Sequence, residues 1–255
     1  MSDYDRFANA RYGAGVARSD AGAIDQGLRA YMLGVYNYMT LGLGVTGLVA
    51  FAAYKAAVVE TGGRIVDLTG FGQLLFNSPL KWVVIFAPLL VVFAFSAGRN
   101  ALSVNGARGV FLLFAALIGL SMSSVFLVYT HASVARVFFE TAAAFGALSL
   151  YGYTTSRSLS AMGSFMMMGL FGLIIASIVN IFLGSDKLQW ALSVAGIVIF
   201  AGLTAWDTQA IKESYFAGDG RETSEKKAIF GALRLYLDFI NMFQFLLTLF
   251  GDRRG

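Results

Sequence analysis

The sequence predicts an all-α polytopic membrane protein with seven transmembrane helices, and three observations carry that prediction. Of the 255 residues, 57% are hydrophobic and only 13% charged, whereas a soluble domain carries about 25% charged residues. Seven apolar runs approach the ~20 residues needed to cross a hydrocarbon core. The last two runs each enclose an aspartate. A charge at the bilayer centre costs roughly 2.5–3.5 kcal/mol, so such groups face the protein interior and carry function.

Taken in order, residues 1–28 are polar, with charges of both signs such as Asp3, Arg6, Arg18 and Asp25, and contain no apolar signal core. A mobile polar tail is expected there, with the first span directing insertion. The seven-helix domain is expected over 29–251, with runs at 30–54, 80–98, 109–130, 137–155, 163–183, 188–209 and 228–250. The second run is short and contains Pro88, which is expected to bend it. None of the runs alternates apolar and polar residues, which argues against a barrel.

Placing the N-terminus in the cytoplasm puts twelve Lys and Arg residues on or near that side, against seven on the other. The positive-inside bias therefore predicts N-in and C-out. The longest connections are 55–79, outside, and 210–227, inside.

The chemistry is narrowed by what is missing. There is no cysteine and one histidine, His131. That excludes thiolate nucleophiles and multi-histidine metal sites, and no enzymatic activity is expected. No lysine lies in the apolar part of the seventh run to hold a retinal Schiff base. No basic cluster suits a nucleic-acid backbone, so nucleic acid is not an expected partner. Gly42-Leu43-Gly44-Val45-Thr46-Gly47 matches a dinucleotide fingerprint, but it lies mid-span, where close helix packing is the expected role. His131 reads as a surface histidine at the end of the third span. Glu140 is placed about one turn into the fourth span, as an interfacial carboxylate or an outer-mouth cation ligand. Arg99 closes the second span as an inner-side anchor.

Asp207 and Asp238 are harder to assign to structure alone. At 100° per residue, Ser193, Gly196, Thr204 and Asp207 fall within about 80° on the sixth span. On the seventh, Arg234, Asp238, Asn241, Gln244 and Thr248 fall within about 120°. Each helix thus has one polar stripe, as expected for two helices facing a shared interior. A local i,i+4 pair of Arg234 with Asp238 is the structural alternative. Two carboxyls in one dry site repel, share protons and titrate as a unit. When ionised they offer hard oxygen ligands to Ca²⁺. With Asn241, Thr204 and water they make an incomplete cage, better suited to transit than to storage.

Three stretches resemble the Bax inhibitor-1 family in its bacterial branch. They are Phe145-Gly146-Ala147-Leu148-Ser149-Leu150-Tyr151-Gly152-Tyr153 in the fourth span, Thr204-Ala205-Trp206-Asp207-Thr208-Gln209 in the sixth, and Leu235-Tyr236-Leu237-Asp238-Phe239-Ile240-Asn241 in the seventh. The resemblance implies a seven-helix fold with the last helix central, in the bacterial cytoplasmic (inner) membrane. It also implies a pH-sensitive calcium leak, with Asp207 and Asp238 as pH sensor and transient calcium ligands. Arg99 is then the implied gate partner of Asp207. Thr204, Asn241, Arg234 and Glu140 are expected from their own positions as supporting polar residues, and Glu140 stands where the family pattern has a neutral residue. Calcium would be the transported ion, with no resident cofactor, and the lipid bilayer the surrounding partner. The alternative function is a membrane interaction protein that modulates others, such as a membrane-bound ATP-dependent protease, with the polar tail as its handle.

Overall fold

The computed structural model describes the backbone of residues 3–62, 64–98 and 101–254, and side chains from Gln26 onward except Ser96 within those ranges. Arg99 lies outside the described residues. So do nearly all the side chains of the expected tail.

Seven long helices follow one another: α1 (Asp3–Ala57), α2 (Leu80–Ala97), α3 (Val104–Met122), α4 (His131–Thr154), α5 (Ser160–Leu183), α6 (Asp186–Glu213) and α7 (Arg221–Phe250). Six contain stretches long and apolar enough to cross a membrane, and α2 makes a seventh when joined to the helical stretch Gly70–Asn77. That join is bent by 64°. The bend lies at Ser78-Pro79, whereas Pro88 sits inside α2. Ser78 is extended (φ −93°, ψ 169°), as steric conflict with a following proline requires.

Three helix starts, those of α3, α4 and α6, are set by capping hydroxyls rather than by where apolarity begins. Ser103, Thr130 and Ser185 accept backbone N–H bonds from Gly106 (3.1 Å), Ser133 (3.2 Å) and Leu188 (3.3 Å), which satisfies otherwise orphaned donors. Because Thr130 caps α4, that helix begins at His131, ahead of the apolar run. His131 is therefore its first residue, packed edge-on to Tyr54 and Phe51. Glu140 lies in its third turn, deeper than expected.

The connection after α1 is not a plain loop. Val58–Thr61 and Arg64–Leu68 pair as an antiparallel hairpin, with Thr61 opposite Arg64. Gly62 takes φ +59° at the turn, a conformation glycine adopts without steric cost. Glu60 on this hairpin accepts hydrogen bonds from Lys55 Nζ (2.5 Å) and the Tyr54 hydroxyl. The Lys55 bond, followed by that from Tyr54, holds its carboxyl below the usual range. Its contribution is complete above the ordinary carboxylate pKa and fades as pH falls through the depressed value. Residues 251–254 fold back onto the same end. Thr130 N donates to the Asp252 carbonyl (3.0 Å), Arg254 N to the Val128 carbonyl (2.9 Å), and the Arg254 guanidinium lies over the Tyr54 ring (5.5 Å).

The last helix is the centre of the bundle. α7 packs against α1, α3, α4 and α6, while α5 packs chiefly on α6. Half of the most apolar stretch of α7 is buried, against 11% for α5. Phe95 and Phe230 stack at 4.5 Å, joining α2 to the same core. With seven spans, reporter fusions after Asp219 and Gly255 should report opposite sides of the membrane, the first cytoplasmic. The same side for both would mean that α7 does not cross.

Candidate functional site

The residues that form the site come from the C-terminal part of α6 and the middle of α7, the two helices whose polar stripes face each other. Two close approaches fix this part of α6. On α4, a Cβ at Gly152 would fall on the Ala205 carbonyl, and on α5, a Cβ at Gly163 would fall within the Trp206 indole. Neighbouring helices therefore grip Ala205-Trp206 from both sides, and Asp207 follows directly.

Asp207 and Asp238 are 6% and 4% exposed. Their carboxyls lie next to each other across the α6–α7 interface, and Asp238 Oδ2 is buried with no hydrogen-bond partner among the described residues. Two carboxyls placed side by side repel each other when both are ionised. The Arg234 guanidinium donates to Asp207 Oδ1 and lies 5.4 Å over the Trp206 ring. One guanidinium stands beside two buried carboxyls inside the bundle. Arg234 thus reaches across to α6 instead of closing the local i,i+4 pair with Asp238. A single helix sequence cannot show this, because it does not say which neighbour lies over the stripe.

The site is wet on one side and dry on the other. The Arg234 side chain keeps 45% of its surface exposed, against 9% for Asp207. It borders a cavity of about 410 Å³ whose wall includes Tyr31, Ser214, Lys226 and Lys227. This vestibule opens where α6 ends and α7 begins. Lys227 is held there by Asp219 (2.5 Å) and the Ser214 carbonyl (3.0 Å). Beyond Asp238, towards the other end of α7, Phe239, Met242, Phe243 and Leu247 are buried.

Of the other residues singled out from the sequence, none joins the pair. Thr204 donates to the Phe200 carbonyl (2.7 Å) and Asn241 to the Leu237 carbonyl (2.8 Å), each within its own helix. Glu140 is exposed and faces Arg136 at 3.9 Å. Among the described residues no group of three or more His, Cys, Asp or Glu side chains is placed to hold a metal. Three supporting residues were not singled out. Trp206 stacks on Arg234; Thr208 bonds Ser149 (2.9 Å), which bonds Tyr36 (2.6 Å); and Gln209 bridges Leu159 N (2.7 Å) and the Arg157 carbonyl (2.9 Å). Their signal was adjacency to Asp207 in one short polar cluster inside an apolar helix.

Comparison with known proteins gives a concordant result. A family model described as inhibitor of apoptosis-promoting Bax1 matches residues 28–255. The chain is 46% identical over 232 residues to the inner membrane protein YbhL of Escherichia coli, covering 89% of this chain and 94% of that one. It is 48% identical over 234 residues to a protein of Caulobacter vibrioides (91% and 92% covered) and 47% over 230 residues to one of Rickettsia prowazekii (90% and 92%). The expected inner-membrane location agrees with the Escherichia coli relative. With its apolar helices and these matches, the chain is an integral membrane protein and belongs to the Bax inhibitor-1 family, in its bacterial branch.

Proposed function

We propose that the protein is a pH-sensitive calcium leak channel, gated by the Asp207–Asp238 pair with Arg234 as its counter-charge. The observation that carries this reading is the meeting of two buried carboxyls from adjacent helices, one of them held by a guanidinium that borders an open vestibule. Its motive is physical: ionisable groups inside a membrane bundle are costly and mark ion or proton pathways.

The closed state is the charge-balanced arrangement, in which Asp238 shares its proton with Asp207 and Asp207 holds Arg234. A further proton on Asp207 removes the ion pair. Arg234, already half exposed, then swings into the vestibule. Calcium entering the freed site displaces protons from the carboxyls, which are hard oxygen ligands of the type it favours. In strong acid, protons win that competition and flux falls again. The resemblance implied Arg99 as gate partner of Asp207; Arg99 lies outside the described residues, and the guanidinium described on Asp207 is that of Arg234.

Calcium entry into proteoliposomes of the purified protein, followed across a pH series, tests this reading. An interaction protein acting on a membrane protease or another membrane partner would show no flux at any pH.

A further inference from the structure

α1 and α4 both pack on α7 but leave a groove between them, floored by Phe239 of α7. Two cavities, of about 610 and 750 Å³, share Thr40, Leu43, Phe138 and Phe239 in their walls and so run into each other. The groove extends from Arg29 and Tyr153 at one end to Phe51 and His131 at the other. Its rims include exposed Leu33, Leu48, Phe139 and Leu150, so it opens sideways, towards the bilayer.

Glycine keeps the groove open. At Gly44, Gly47 and Gly146, all on its walls, nothing lies within 4 Å of where a Cβ would stand. Only Gly42 of the fingerprint-like run serves close packing, against Phe111 and Tyr236. The absence of a side chain at the other positions holds helices together nowhere. It leaves space.

Charge distinguishes the two ends. No acidic residue lines either cavity. Arg29 borders the larger cavity and has no ion-pair partner among the described residues. Lys212 stands nearby, its ammonium bonded to the Tyr153 carbonyl (2.7 Å) with no carboxylate on it. Arg29 to Leu43 spans about 20 Å along α1, enough for an acyl chain crossing the ~15 Å half-thickness of a hydrocarbon core. We infer that this half of the groove binds one anionic phospholipid, its headgroup phosphate on Arg29 and one acyl chain lying past Gly146 to Phe239. A lateral, apolar groove with Arg29 and Lys212 near one mouth, neither on a carboxylate among the described residues, matches that amphiphile in both chemistry and length.

Native mass spectrometry of the full chain, released from micelles containing equal phosphatidylglycerol and phosphatidylcholine of matched chains, tests the assignment. One phosphatidylglycerol should be retained in preference to phosphatidylcholine by about fivefold, the effect of one basic residue near an anionic headgroup. Arg29→Gln should bring the two lipids close to parity. Gly146→Phe should reduce retention of both lipids, with no loss of thermal stability, since its ring enters open space. Equal retention by the unmodified protein, or an undiminished preference in Arg29→Gln, overturns the assignment. So does a lipid-free dimer that Gly146→Phe breaks, which would give the groove to a second copy. Should Gly146→Phe melt early, Arg29→Gln still decides, because that side chain is exposed.

Discussion

Replacing Arg234 by glutamine should raise calcium leak at neutral and alkaline pH more than any other single change at the site. Arg234 supplies the guanidinium on Asp207, and removing one partner of a buried pair strands the other charge at a cost of about 3–5 kcal/mol. Half of the arginine side chain is exposed, so the lower end of that range applies. A bias of about 3 kcal/mol shifts a two-state equilibrium by roughly a hundredfold, enough to move a mostly closed gate to a mostly open one. The alkaline limb of the flux profile should therefore flatten upward, while Arg234→Lys, which keeps the charge but loses the fork and the stacking on Trp206, should show part of the effect. Unchanged flux in a well-folded Arg234→Gln protein would show that Arg234 is not the latch.

The second large effect is on stability, at Gly152. A methyl group there would fall on the Ala205 carbonyl, a backbone atom that cannot turn aside, so α4 and α6 must separate next to Asp207. Overpacking costs typically about 1–3 kcal/mol and sometimes more, and a backbone contact belongs at the top of that range. Gly146→Ala is the control on the same helix. Its added methyl meets nothing within 4 Å, and alanine is favoured over glycine within a helix by roughly 0.5–1 kcal/mol. Thermal melting in detergent should fall for Gly152→Ala and hold or rise for Gly146→Ala. Equal melting of the two variants would mean that α4 does not approach α6 so closely.

Much of this was legible in the sequence because the bilayer constrains it so strongly. Seven apolar runs gave seven helices, and two aspartates in apolar surroundings gave the pair at the centre. Boundaries were less legible, because a helix does not stop where its residues become polar. α7 starts at Arg221, and Glu222 and Lys226 pair across its first turns at 3.1 Å. Likewise Thr130 begins α4 by capping it, which moved His131 and Glu140 to new positions. The hairpin after α1 had a signal, Gly62-Gly63 between β-branched residues, that the apolar-run reading passed over. Partner choice was the least legible feature. Arg234 sits on the same stripe as Asp238, yet it reaches Asp207, and only the packing of α6 over that stripe decides between them.

The central claim is that Asp207 and Asp238 sense protons together, and the flux profile of their asparagine variants tests it most directly. Calcium entry into proteoliposomes should be measured from alkaline to strongly acid conditions for the unmodified protein, Asp207→Asn, Asp238→Asn and the double variant. The unmodified protein should leak little at alkaline pH, more on acidification, and less again in strong acid. Asp207→Asn should leak at every pH above the acid limb, because Arg234 has lost its anchor. Asp238→Asn should shift the response to lower pH, since the shared proton is gone, and the double variant should lose pH dependence altogether. Retention of the unmodified profile by both single variants would contradict the claim, and the paired carboxyls would then be a structural feature of the α6–α7 interface.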